Sequence, residues 1–230
     1  MRYLTKKTQK MSETEKGKFV KDKGKEHLDK PFLEELKHKV WSTKGARFNA
    51  DSRNRTISKY SNLGLTFLSA YLIVFGFLSV YNLYNLKAYD ANLIAFTITT
   101  LSIFLLIFSI FENSQNYLVK AKSFHDCALD LADIYNELQT YKSYEANATE
   151  KERMEFSTQL QIKYQNVLRK YENHERIDNK KFRLDYPDYY PNTKFNSFIV
   201  RCQYFFQTKF IYLLLMIAPA IILIMILKTK

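Results

Sequence analysis

Charged residues vanish from three stretches of the chain. None lies between Lys59 and Lys87, between Asp90 and Glu112, or between Lys209 and Lys228, runs of 27, 21 and 18 residues. A helix rises about 1.5 Å per residue and the hydrocarbon core of a bilayer is about 30 Å thick, so roughly 20 apolar residues cross it. The first two runs predict spans at about 63–85 and 91–111, and the third a shorter span at 210–227 whose flanking lysines snorkel to the headgroups. Only the five residues Leu86 to Asp90 join the first two spans, so 63–112 reads as an antiparallel hairpin.

Outside those runs the apolar positions follow helical spacing. Residues 1–30 alternate Lys, Glu, Thr and Gly and predict disorder. Residues 31–62 form a helical lead-in, with Phe32, Leu33, Leu36 and Val40 on one face. Trp41 fits either a packed body or an interfacial anchor. Over 113–185 the pattern predicts a pair of helices, the first continuing out of the second span. Tyr117, Ala121, Phe124, Ala128, Leu131, Tyr135 and Leu138 alternate 4 and 3 apart, a heptad seam that needs a partner helix. After a break around 143–148, Thr149 and Glu152 form a capping box, and Phe156, Leu160, Tyr164, Val167 and Tyr171 define the next apolar face. Pro187 and Pro191 end regular structure. Within 186–209, Phe195, Phe198, Ile199, Cys202, Phe205 and Phe206 share a face edged by basic residues, which suits an interfacial helix leading into the third span. The expected fold is all-α: a membrane hairpin, an antiparallel helix pair and a C-terminal transmembrane helix.

Two polar features sit inside the spans. Asn62, Thr66, Ser69 and Gly76 recur on one face of the first, and Asn92, Ala95, Thr99, Ser102 and Ser109 on one face of the second. Such stripes serve close helix packing, or they line a wet pore once several copies assemble. Charge sets the orientation. Residues 1–62 carry 17 Lys/Arg against 8 Asp/Glu, whereas 112–209 carry 15 against 14, so the net charge of +12 concentrates before the first span. Positive residues beside a span stay inside. The N-terminus and 112–209 are therefore expected in the cytoplasm, with the hairpin loop and the C-terminus outside. The basic excess is explained by topology and anionic lipid, without specific nucleic-acid binding. The first apolar run begins some sixty residues in, which predicts no signal peptide.

Catalytic chemistry is not predicted. The five glycines form no phosphate loop, and no nucleophile elbow or paired-cysteine metal motif occurs. His125 and Cys127 project about 200° apart around a helix, so they cannot share a site. The 35 Tyr and Phe residues fall at seam and interface positions. No cofactor is expected.

The order of these features resembles the SLATT family of bacterial membrane effectors. The resemblance rests on Ala46-Arg47 and Arg53-Asn54-Arg55 before the hairpin, on the stretch Lys120 to Ala128 containing His125, and on Asn173, His174 and Asp178 after the second helix. It covers about residues 32–185, and the third span departs from a two-span plan. The family implies a non-enzymatic effector of phage defence in the inner membrane. It would be encoded near a nucleotide synthase, nucleotide sensor or reverse transcriptase, and would form homo-oligomeric pores on a signal. His125, Asn173, His174 and Asp178 are then structural, the last three ending the second helix, where orphan carbonyls need donors. A membrane-anchored scaffold that recruits a soluble partner is the competing expectation.

Overall fold

The computed structural model describes residues 32–80, 91–145 and 148–228. The expectations for residues 1–30 and for the loop 86–90 fall outside them. Among the described residues every regular element is a helix: α1 (Phe32–Val80), α2 (Ala91–Ser114), α3 (Tyr117–Tyr144), α4 (Glu150–Lys170), α5 (Arg176–Asp185), α6 (Lys194–Phe205) and α7 (Ile211–Lys228), with a π-helical turn at Phe206–Phe210 between the last two. This is an all-α protein.

Two boundaries differ from the sequence expectation. The lead-in and the first span are one helix of 49 residues, α1, with no break near residue 62. No proline follows Pro31 until after that helix, so nothing removes a rung from its hydrogen-bond ladder. Conversely, the second span does not run on into the next helix. A turn at Gln115–Asn116 separates α2 from α3, and Asn116 adopts a left-handed φ of 51°. Asparagine tolerates that conformation better than most side chains, which heptad spacing alone does not register.

The chain divides into two compact units. The body unit comprises the chain up to Asp51 together with Lys122–Cys202, and the span unit comprises Ser52–Ala121 together with Gln203–Lys230. In the body unit the expected helix pair is a trio. Leu36 and Val40 of α1 join Cys127, Leu131, Ile134 and Leu138 of α3 and Leu160 of α4 in one buried core. Lys170 meets Asp130, Lys163 meets Glu137, and Tyr141 stacks on Phe156, a reversed order that makes α3 and α4 antiparallel. Contacts of Glu34 with Lys142, Lys44 with Tyr135 and Asp51 with His125 set the N-terminal part of α1 antiparallel to α3. Thr149 caps α4 as its spacing predicts, accepting from the Glu152 amide at 3.3 Å while its own amide donates to Glu152 at 2.7 Å.

Trp41 belongs to this packed body. Its ring lies edge-on to Phe182, Tyr186 and Tyr189, with centroids 4.8, 4.8 and 5.2 Å away. The neighbouring Gly45 admits the buried Phe182 ring, since a Cβ there would come within 2.1 Å of two ring carbons. Close approach, not flexibility, explains a glycine inside this helix. Cys127 is fully buried, and burial pushes its thiol pKa up, so it packs as a small apolar side chain.

The span unit has the opposite character. Three helices among the described residues are long and apolar enough to cross a membrane, yet only 6, 6 and 11 % of their most apolar windows is buried. Such surface is covered by lipid or by other chains. Phe195, Phe198, Ile199, Phe205 and Phe206 are likewise exposed on the helix that leads to the third span.

Candidate functional site

Glu112 ends the charge-free run of the second span and is buried. A carboxylate at that depth needs donors, because leaving it bare in an apolar setting is costly. Two hydroxyls from the other spans supply them. Its Oε2 accepts from Ser61 Oγ on α1 at 2.7 Å and from the Tyr212 hydroxyl on α7 at 2.9 Å. Tyr117 extends the network through a hydrogen bond with Tyr212, and burial is the main reason its phenol titrates above the usual range. One carboxylate oxygen therefore ties all three spans together. Further along, the Tyr71 hydroxyl of α1 donates to the Met216 carbonyl of α7 at 2.9 Å. That carbonyl adjoins the one whose intrahelical donor Pro219 removes.

The polar stripes lie elsewhere. Asn62, Thr66, Ser69, Asn92, Thr99 and Ser102 are exposed, while Gly76 and Ser109 are half-buried. Four of the hydroxyls donate back to carbonyls of their own helix: Thr66 to Asn62, Ser69 to Leu65, Thr99 to Ala95 and Ser102 to Ile98, at 2.8, 2.9, 2.8 and 2.8 Å. The seam differs again. Ala121, Phe124, Ala128, Leu131 and Leu138 are buried within one chain, with Tyr117 and Tyr135 half-buried. Leu131 and Leu138 meet α1 and α4 of their own subunit in the core.

In the body unit the residues after α4 are organised by Arg47, which is fully buried. Its guanidinium donates to the Glu172 carbonyl and, at 3.3 Å, to Asn173 Oδ1, and it lies 5.6 Å from the centroid of the Phe124 ring. A cation just beyond the C-terminus of α4 also complements the helix dipole. Asp178 does not end α4, as the sequence reading had it. It starts α5 instead, accepting the Glu175 amide at 3.0 Å while its carbonyl accepts from Asn49 Nδ2 at 3.3 Å. The donor to the chain leaving α4 is Arg47, the role the sequence reading gave to His174. His174 lines a concavity of about 290 Å³ with Arg176, Asn179, Lys180 and Arg183. His125 is separate from that turn, its Nδ1 lying 3.2 Å from Asp51 Oδ2.

Sequence reasoning missed Ser61, Glu112 and Tyr212 as a set, and gave Arg47 no role. The available signal was chemical. Glu112 is the acid bounding the second run, and Tyr212 is the residue with a hydroxyl in an otherwise aliphatic third run.

No curated protein and no solved structure matches the chain. A family model described as SMODS and SLOG-associating 2TM effector domain family 5 matches residues 29–225. The match runs well past residue 185, so the third span lies inside the matched domain although the description counts two. The protein, all-α with three candidate membrane spans, thus belongs to SLATT family 5, a family of membrane effector domains.

Proposed function

We propose that the chain is a non-enzymatic effector of bacterial anti-phage defence that assembles through its spans into a pore in the inner membrane. Its trigger would be a nucleotide-linked or partner-linked signal from a synthase, sensor or reverse transcriptase encoded nearby. The supporting observation is the exposure of the polar stripes on α1 and α2. Hydroxyls bonded to their own helix can rest against hydrocarbon without an unsatisfied donor, and they keep a lone pair for water once a partner covers them. Because the heptad seam is buried within one subunit, contacts between copies would use the span faces rather than that seam.

The double substitution Thr99→Leu with Ser102→Leu should abolish ion release from liposomes while leaving insertion intact. Leucine is at least as favourable in the bilayer, and it dries and narrows a pore wall. Leakage equal to wild type would refute a pore along this face. Wild-type protein that inserts but never leaks would favour the scaffold reading, for which the basic concavity around Arg176, Lys180 and Arg183 offers a surface for an acidic partner.

The proposed topology places the N-terminus and residues 112–209 in the cytoplasm and the C-terminus outside, following the positive residues flanking the first span. A reporter fused after Lys230 should be active only outside the inner membrane. Activity confined to the cytoplasm would overturn the third crossing.

A further inference from the structure

The span unit encloses a cavity of about 830 Å³ lined almost wholly by apolar side chains. Its walls run from Leu68 to Ser79 on α1, from Thr97 to Phe108 on α2, and from Ile211 to Ile222 on α7. At about 1.5 Å per residue each wall is roughly 16 Å long. All three walls lie inside the charge-free runs and cover their middle portions. The cavity therefore sits across the centre of the roughly 30 Å hydrocarbon layer.

We propose that this cavity is a binding site for one acyl chain of a bilayer phospholipid. The medium at that depth is hydrocarbon, and an apolar cavity does not draw in water. The loss of packing grows with the volume left unfilled, so a space of this size needs a filler. The phenol on its wall, Tyr71, already donates its hydroxyl to Met216, so no printed hydrogen-bond demand points to a polar ligand. A helix from a second copy does not fit, because a cylinder about 10 Å across and 16 Å long fills roughly 1,300 Å³. A flexible single chain does. The site is independent of whether the exposed stripes conduct ions.

The test is fluorescence quenching in detergent. Leu105→Trp and, separately, Leu72→Trp place an indole on the wall, and Ile107→Trp places one on the exposed face of the same span as Leu105. The native Trp41 in the body unit gives a constant background. Delipidated protein is titrated with a phosphatidylcholine brominated on its acyl chains. The wall indoles should be quenched to saturation near one lipid per chain, whereas quenching at Ile107→Trp should rise only with the bulk lipid fraction. Identical, non-saturating curves at all three positions would overturn the proposal. Native mass spectrometry of the unmutated protein gives a second reading that no misfolded variant can confuse. It should show one retained phospholipid per chain, and a bare chain or a lipophile of another class would refute the assignment.

Discussion

Replacing Arg47 with methionine should remove the cooperative melt of the body unit, read by far-UV circular dichroism of the purified protein. The substitution keeps much of the side chain's length and apolar stem, so lost volume is not the main effect. What goes is the pair of donations to the Glu172 carbonyl and to Asn173. Hydrogen bonds from a charged donor contribute about 1.5–3 kcal/mol each, and an acceptor stranded in a buried place costs more than an exchanged one. The turn between α4 and α5 also loses its cation at the negative end of α4. Arg47→Lys should rescue only partly, because a single ammonium cannot present a planar fork to two acceptors. Full stability in both variants would show that the turn holds itself through Asp178 and Asn49.

Leu131→Asp should have an effect as large, for a different reason. Leu131 is fully buried between α1, α3 and α4. Truncating such a leucine typically costs about 2–5 kcal/mol through volume alone, and aspartate adds a carboxyl with no partner. The body unit should become sensitive to limited proteolysis throughout. Leu129→Asp, two residues away and 47 % exposed, should leave it resistant. Unfolding of the subunit, not a change in oligomer size with folding retained, distinguishes a seam buried in one chain from a seam between copies.

How much of this could be read from sequence followed the range of the interactions. The spans were legible because lack of charge over a full crossing is a property of consecutive residues. So was the Thr149–Glu152 cap, whose partners lie three apart. The heptad periodicity over 117–138 correctly announced a seam, but periodicity names a face and never its partner. The lead-in helix that fills one side of that seam was read as a separate segment. Arg47 reaches Asn173 across 126 positions, and Tyr212 reaches Glu112 across 100, so no local pattern joins them. Asp178 was placed at the wrong helix end because Tyr171 to Glu175 reads equally well as a stop or as a start. The coordinates decide it through the amide of Glu175.

The shared oxygen of Glu112 has a kinetic consequence. Because Ser61 and Tyr212 donate to the same atom, withdrawing either span leaves the acid half-satisfied and weakens its hold on the other. The second loss then follows more readily than the first. Separation of the spans would accordingly show threshold behaviour, with few partly parted intermediates. A population of such molecules would answer a rising stimulus by recruiting more fully open members, not by opening each a little further.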